Sequence, residues 1–559
     1  MRTSRQTSPT TPGRADAYVN AEARPDRASD RWRWPRALGA GLLAGLVAAF
    51  VMTMVMVALR ILAGVPLPTE LGADRVLPTL DIYTFLTLIG RNGGNVAAKI
   101  MAYNSGFVGQ IALGAVLGVV YAAITERGRG RAPDRVWPFG VDRRAALFAA
   151  AAVAVLWVAS LALFWPVLGA NFRGVPPGSA GLVTALGLLV SYAGYGLALV
   201  LAYRAMTSRS PLQRRAVVGP VLGRRAALVA GLGVVAGLAS GGLVRLLFNR
   251  GTFFYDGIQY QDAAQPPITP IEHFYTVTKN LVDPTVAKDT WRLEVGGLVD
   301  HAHTYDFADI AALPVVTQTM TLECISNPIG GGLIGNAHWK GVPLRAVIEA
   351  AGPTTGVVEV LLHAADGYNH TIAFDKAMEP TTILAYEMNG VPLPDRHGYP
   401  VRLLVPGNYG EGSVKWITRV ELLDHSVEHT EDYYGQQGWK PRHVHTWSRF
   451  SYPHNGDTLK LAGAAVPLHG AAFAGDRGIS RVEVSTDSGR TWHDATITYR
   501  AGRLAWAFWR YDWRPDGAGA HHLLVRATDG KGTLQETTMR VAPPQGSAGY
   551  QRVAVRVEA

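Results

Sequence analysis

The sequence predicts three units in series: an N-terminal α-helical membrane region, an α+β domain, and a C-terminal β-sandwich of immunoglobulin type. Three observations carry this. Five apolar segments of near-membrane length all lie before residue 250. Short β-branched runs closed by Gly and Asp, with one compact helical pattern, fill the middle of the chain. Alternating strands with regular turns close it. Apolar residues make up 48% of the chain against 17% charged, too apolar for a purely soluble enzyme, and the excess sits in the first half. The net charge of +10 would suit nucleic acid. The arginines instead cluster beside apolar runs, as membrane proteins require, so no nucleic-acid partner is expected.

Residues 1–36 are polar and rich in Arg, Pro, Ser and Thr, and read as a disordered cytoplasmic tail rather than a cleaved signal. Residues 37–250 hold the five segments, near Leu38–Leu59, Phe107–Ile124, Ala145–Val167, Ala180–Tyr203 and Ala226–Phe248. Each approaches the roughly 20 residues that a helix needs to cross a hydrocarbon core. The second is the shortest. "LDIYTFLTLIGRNGG" (Leu80–Gly94) is a weaker sixth segment, expected to be re-entrant or interfacial. The loop after the second segment carries Arg127, Arg129, Arg131, Arg135, Arg143 and Arg144, and the loop after the fourth carries Arg204, Arg209, Arg214, Arg215, Arg224 and Arg225. Between the third and fourth there is only Arg173, and the first loop offsets its bases with Glu70, Asp74 and Asp81. The positive-inside bias therefore puts the N-terminus in the cytoplasm and everything after residue 250 outside the cell membrane.

No histidine precedes His273, so these helices hold no bis-histidine haem. A quinone or partner site stays open, beside the plainer role of anchor and docking platform. "GRRAALVAGLGVVAGLASGG" (Gly223–Gly242) sets Arg224–Arg225 before a Gly/Ala-rich helix, as an internal twin-arginine export signal would. Ordinary positive-inside charge explains the same pair, and Arg-Arg also occurs at Arg143–Arg144 and Arg214–Arg215.

Residues 251–270 include "AAQPPITP", a semi-rigid Pro-rich linker. "DTWRLEVGGLVD" and "GVVEVLLHAADGY" read as strands, and "PLRAVIEAAG" as a short helix ended by Gly352. This pattern continues to about residue 430. From about 440 to 545, "ISRVEVSTDSGRTWHDATI", "RLAWAFWRYDW" and "HHLLVRATDG" alternate with period two, Val482 and Val484 facing one way. Such strands indicate an immunoglobulin-type sandwich, here without a disulfide, its core resting on aromatics.

Cys324 is the chain's only cysteine. It can make no intramolecular disulfide and no multi-cysteine metal site. It is either a buried small hydrophobe or a thiolate that does chemistry.

Residues from about 271 to 545 resemble the sulfite oxidase family of molybdopterin oxidoreductases. "TLECISN" is similar to that family's cysteine loop, "ILAYEMNGVPLPDRHGYPVRLLVPGNYGEGSVKWI" to its cofactor stretch, and Ile479–Ala495 to its dimerisation domain. The resemblance implies that Cys324 is the one protein ligand to molybdenum, a soft donor for a metal that changes oxidation state. It implies His397, Arg402 and Lys415 as pterin and phosphate contacts and Asp366 as a pterin hydrogen-bond partner. The backbones of Thr278, Lys279 and Asn280 and of Ser413, Val414 and Lys415 would complete the cradle. Tyr433 or Tyr434 stands where the family has a tyrosine at substrate or metal oxo. The implied cofactor is molybdenum–molybdopterin. No haem or iron–sulfur motif appears in this chain, so a separate cytochrome or quinone system must exchange the electrons. A homodimer is possible on the same resemblance.

The departures concern substrate. Sulfite-using members place three arginines around the oxyanion, and the corresponding positions here are Thr278, Ile329 and about Pro543–Gln545. A dianion without charge-assisted bonds binds poorly. Glu411 and Gly412 also replace the usual residues beside the phosphate site. The expected activity is two-electron oxygen-atom transfer on a small substrate other than sulfite. The rivals are sulfite dehydrogenation, S- or N-oxide reduction, and a non-catalytic binding or sensory protein on a decayed fold.

Molybdopterin is inserted during cytoplasmic folding, so the domain after residue 250 should cross the membrane folded. Replacing Arg224 and Arg225 together by lysine keeps the charge and removes the arginine-specific signal. The expected outcome is a membrane-held protein with residues 251–559 open to cytoplasmic protease. Export of an active, molybdenum-loaded domain by that variant would reduce the pair to topological charge.

Overall fold

A computed structural model describes residues 33–128, 143–207, 224–250, 266–439, 442–460 and 465–558. The tail before residue 33, most of the linker and the side chains of Arg224 and Arg225 lie outside the described residues. So do many arginines of the two basic loops.

Among the described residues, seven α-helices form the N-terminal unit: α1 (Arg33–Ala63), α2 (Pro68–Val76), α3 (Ile82–Arg91), α4 (Asn95–Gly128), α5 (Arg143–Phe164), α6 (Pro177–Thr207) and α7 (Arg224–Asn249). Five of them, all but α2 and α3, are long and apolar enough to cross a membrane. α1 is the central helix, touching α4, α6 and α7. It meets α4 through small residues in register, Gly41 and Gly45 against Gly114 and Gly118. A Cβ on Gly118 would overlap the Gly41 carbonyl, and one on Gly45 would overlap that of Gly114. Residues this small let the two backbones approach closely, and that close packing joins the helices.

α4 is longer than its apolar core predicts. Lys99, Asn104, Ser105 and Gly106 break the hydropathy, yet the helix runs on, with one face of this end held against protein while Met101, Asn104 and Ser105 stay exposed. Lys99 Nζ donates to the Thr278 carbonyl, and Gly106 sits against Thr69. The weaker sixth segment becomes α3, a separate amphipathic helix. Asp81 caps it, accepting from the Tyr83 and Thr84 amides at 3.1 Å. Ile82, Phe85 and Leu86 share a cluster with Ile325 and Trp439, while Tyr83 and Leu88 stay exposed.

The middle unit has two sheets. One, in the order β2–β1–β10–β5–β6, combines β1 (Leu293–Gly297), β2 (His303–Tyr305), β5 (Glu359–Ala364), β6 (Asn369–Ala373) and β10 (Ile417–Leu423). Its β1 and β10 are parallel. The other, β3–β4–β7–β8, combines β3 (Val316–Glu323), β4 (Ile334–Pro343), β7 (Ile383–Met388) and β8 (Val391–Pro392), with β9 (Arg402–Leu404) also on β7. The helix expected at "PLRAVIEAAG" spans Leu344–Ala351, and Gly352 ends it at φ 67°, a conformation that glycine adopts without strain. The C-terminal unit packs a four-stranded sheet, β11–β13–β17–β16, against a five-stranded one, β12–β19–β18–β14–β15. These strands are β11 (Trp447–Tyr452), β12 (Thr458–Lys460), β13 (Val466–Phe473), β14 (Ile479–Ser485), β15 (His493–Asp494), β16 (Thr496–Arg500), β17 (Ala507–Trp513), β18 (Gly519–Asp529) and β19 (Gln551–Glu558). Phe450 and Trp509 from the first meet Val482, Val484 and Val525 from the second in one core.

The glycine crossing yields a prediction. Gly45→Ile should force α1 and α4 apart and cost about 1–3 kcal/mol, the usual penalty of overpacking. Thermal unfolding in detergent micelles checks it; an unchanged midpoint would show that the crossing is not close-packed.

Candidate active site

Cys324 follows β3 directly, at the end of a strand whose other edge pairs with β4. Its amide donates to the Leu333 carbonyl at 2.9 Å, and the Asn327 amide donates back to its own carbonyl at 2.9 Å. Glu323, one residue earlier, is buried and accepts from Asn327 Nδ2 at 2.9 Å and Trp447 Nε1 at 2.8 Å. These bonds fix the turn, so the thiol direction is set by the backbone. The thiol faces a cavity lined also by Thr278, Lys279, Asp366, His397, Arg402, Ser413, Val414, Lys415 and Tyr434. Asn280 and Tyr433 stand just behind. Asn280 Nδ2 donates to Asp366 Oδ2 at 2.7 Å, and the Tyr433 ring lies 5.7 Å from Lys279 Nζ.

Each segment reaches the cavity for a local reason. Gly398, at φ 105°, turns the chain after His397 and lies so close to Arg402 and Lys415 that a Cβ there would crowd both. Arg402 opens β9, donating to the carbonyls of His397 at 3.2 Å and Ser413 at 2.9 Å. Lys415 Nζ donates to the carbonyls of Val277 and Arg396 at 3.2 Å. Asp366 occupies the turn after β5 and accepts from the Tyr368 amide at 3.0 Å.

The cavity is electrostatically lopsided. At one end three basic groups are crowded together, and among the described residues no carboxylate is in hydrogen-bond contact with them. Burial pushes His397 down to about 3, with Arg402 and Lys415 adding to the effect. Burial pushes Arg402 down to about 10 and lowers Lys415, with Arg402 and Lys99 beside it, against the pull of Asp283. His397 Nε2 and Arg402 Nε are buried with no hydrogen-bond partner. At the other end, burial pushes the Cys324 thiol up to about 12, and the nearby charges that act on it are Glu411 and Glu323. Glu411 is itself pushed up to about 8 by burial and Asp432.

Two family models match the chain. The oxidoreductase molybdopterin binding domain covers residues 280–431, and the Mo-co oxidoreductase dimerisation domain covers residues 442–557. Human mitochondrial sulfite oxidase is 31% identical over 50% of this chain and 60% of its own length. Chicken sulfite oxidase is 30% identical over 50% of this chain and 72% of its own length. The chain belongs to the sulfite oxidase family. It spans about 60% of the length of the human and macaque members it matches. Among solved structures, the sulfane dehydrogenase SoxCD from Paracoccus pantotrophus is similar, with 26% identity over 53% of this chain and 85% of that chain and a TM-score of 0.46.

The cavity fits the sulfite oxidase family's cofactor. Unpartnered His397 Nε2 and Arg402 Nε, next to Lys415, call for an anionic group with several acceptor oxygens, which a pterin phosphate supplies. The Cys324 thiol faces the same cavity, and a coordinating thiol is deprotonated by the metal it binds.

Two contributors were not singled out from the sequence. Lys99 touches the cavity wall from α4, donating to the Thr278 carbonyl; it precedes the apolar segment Phe107–Ile124, so hydropathy carries no signal for it. Asp74, read only as loop charge, pairs with Lys279 at 2.6 Å. Asp74 and Asp366 overcome burial and hold Lys279 above its usual value.

Asp432 orients the tyrosine segment. It accepts from the amides of Thr371 at 2.9 Å, Tyr434 at 3.1 Å and Gly435 at 2.7 Å, and lies 2.8 Å from His370 Nδ1. His370 and Arg442, with these amides, overcome burial and hold its carboxyl well below the usual range. A depressed carboxylate stabilises the fold at pH above its unfolded value, near 4, and that stability is lost as pH falls through the folded value. Asp432→Asn should cost about 3–5 kcal/mol at pH 7 and flatten the acid limb of a stability–pH curve. An unaltered acid limb would place the acid sensitivity elsewhere.

Proposed function

We propose that this chain is a membrane-anchored, extracytoplasmic molybdopterin oxidoreductase that transfers an oxygen atom to or from a small substrate other than sulfite. The observation that carries the proposal is the cavity shared by Cys324, His397, Arg402 and Lys415. In this reading α1 and α4–α7 cross the cell membrane with the N-terminus in the cytoplasm. Residues 271–430 form the catalytic domain, and residues 440–545 an immunoglobulin-type unit that supports a homodimer.

Cys324 is the thiolate ligand. His397, Arg402 and Lys415 hold the phosphate, Asp366 meets the pterin, and the backbones of Thr278–Asn280 and Ser413–Lys415 close the cradle. When bound, the molybdenum–pterin group supplies two-electron oxygen-atom exchange with water. Tyr434, on the cavity wall, is better placed than Tyr433 to orient substrate. Asp432 positions that tyrosine through the Tyr434 amide. Electrons pass to a separate redox partner.

The substrate assignment rests on charge. Sulfite is a dianion, and the positions where sulfite-using members of the family place arginines are Thr278, Ile329 and about Pro543–Gln545 in this chain. A dianion without charge-assisted bonds binds poorly, whereas a neutral or weakly charged substrate needs none. Sulfite dehydrogenation remains the rival, favoured by the names of the relatives, with S- or N-oxide reduction beside it.

Metal analysis of purified protein should give about one molybdenum per chain. Cys324→Ser should keep the fold and the pterin and lose turnover, because the pterin is held at many points while the thiolate tunes the metal. A screen with sulfite, thioethers, S-oxides and N-oxides, coupled to a soluble dye, should favour an uncharged substrate. Metal-free but active wild-type protein would overturn the proposal, and fastest turnover on sulfite would overturn the substrate assignment.

A further inference from the structure

A second cavity, of about 250 Å³, lies inside the helix bundle between α1, α4, α5 and α6. That is just under the roughly 300–1,000 Å³ of ordinary small-molecule sites. Its wall is almost wholly apolar, with Met52 and Met56 on one side. Leu113 and Leu163, also on its wall, are half or more exposed on the bundle's outer surface. On the membrane reading above, the cavity therefore opens sideways into lipid.

A few polar groups converge in it. Ser160 Oγ and the Tyr192 hydroxyl are 2.8 Å apart. Two hydroxyls carry two protons and spend one on their mutual bond, so one O–H is left to donate. Gln110 spends one amide N–H on Thr53 Oγ1 at 2.7 Å, which leaves the other N–H and its carbonyl oxygen. Tyr195 gives its proton to the Gly114 carbonyl. The site thus offers donors and an acceptor, no charge, and an apolar bed reached from lipid.

We infer that this cavity binds a membrane quinone, and that the quinone is the electron acceptor of the molybdenum reaction. This rests on the enzymatic reading above. An apolar ring with two carbonyls and an isoprenoid tail matches the wall, the donors and the lateral opening. The electrons also balance. Oxidation of substrate X by water gives XO, two protons and two electrons. A quinone takes two electrons and two protons to become a quinol. The sum is X + H2O + quinone → XO + quinol, and no other oxidant is needed.

The position suits the transfer. Pro68, the first residue of α2, lines the quinone cavity. Asp74, on the same helix, pairs with Lys279, which lines the catalytic cavity. Six residues of helix rise about 9 Å, so a single short helix separates the two sites.

The test uses the full chain in detergent and a benzoquinone with a ten-carbon tail, its binding followed by quenching of tryptophan fluorescence. Binding should saturate, and decylbenzene, which lacks the carbonyls, should not compete. Ala159 lies on the exposed rim, so Ala159→Phe should fill the cavity without disturbing packed neighbours and weaken binding at least tenfold. Tyr192→Phe removes a donor at nearly constant volume and should weaken it about threefold or more. Equal competition by decylbenzene would make the cavity an acyl-chain slot and overturn the inference. So would full binding by Ala159→Phe, or quinone left unreduced by a preparation that reduces a soluble dye. Molybdenum content and dye-linked turnover of the same preparation test the enzymatic reading separately, so failure of one is distinguishable from failure of the other.

Discussion

The buried ion pair between Lys279 and Asp74 joins the helix bundle to the wall of the catalytic cavity. Both side chains are about one-tenth exposed or less. Neither could be buried alone, because an isolated charge in a protein interior costs several kcal/mol and breaking such a pair costs about 3–5 kcal/mol. The rest of the seam is built around it. Arg60 pairs with Glu70 at 3.0 Å, donates to the Val282 carbonyl at 2.9 Å and lies 3.5 Å over the Phe172 ring. The Asn171 amide donates to the Ala365 carbonyl, next to Asp366, and the Thr285 amide to that of Phe172. Gln437 bridges α3 and the Trp439 wall through the Leu77 carbonyl and the Ile82 amide. The cavity wall from Thr278 to Lys279 and the turn at Asp366 are thus set partly by the bundle, and a soluble fragment lacking it would leave Lys279 without its carboxylate.

This explains what the sequence could and could not reveal. The helix ended by Gly352, the alternation of Val482 and Val484 and the turn after Ser485 are local, and local spacing is enough to read them. Most residues of the catalytic cavity were legible through motif because TLECISN and the stretch from Ile383 to Ile417 are each an unbroken run of sequence. Lys99 and Asp74 were not, since each meets its partner about 180 or 205 residues away. The length of α4 was under-read for the same reason. Hydropathy treats Lys99 and Asn104 as interruptions of a lipid-facing helix, whereas the Lys99 ammonium finds the Thr278 carbonyl of another unit. α3 was ambiguous because its apolar face suits lipid as well as protein, and only the contact with Ile325 and Trp439 decides.

The two ends of the catalytic cavity impose different demands on what enters. Arg402 and Lys415 help burial to keep His397 neutral, and Arg402 lowers Lys415, so an anion there relieves repulsion between the two cations and recovers two unmade hydrogen bonds. Near Cys324 the neighbouring groups are different: Glu323 and Glu411 are buried, and burial pushes both carboxyls up, to about 7 and about 8. On the proposed reading, the end that grips the phosphate tail orients the cofactor with its metal at the Cys324 end, where no cluster of cations like that at Arg402 and Lys415 lines the cavity among the described residues.

On the quinone reading, the seam also fixes geometry for electron transfer. α2 is clamped at both ends: Glu70, near its start, by Arg60 and the Leu67 amide at 2.8 Å, and Asp74, near its finish, by Lys279. A nine-residue helix held at two points by buried charges cannot slide along its axis without exposing or separating one of them. Transfer between two centres depends steeply on their separation, so a clamped spacer serves it. Residues 266–270 of the Pro-rich segment are themselves docked, the Pro267 carbonyl accepting from Asn336 Nδ2 at 2.8 Å and Trp506 Nε1 at 3.0 Å, so they belong to the catalytic side and do not tie it to the bundle. It is the charge pairs of the seam, more than the chain connection, that keep the two cavities at one distance.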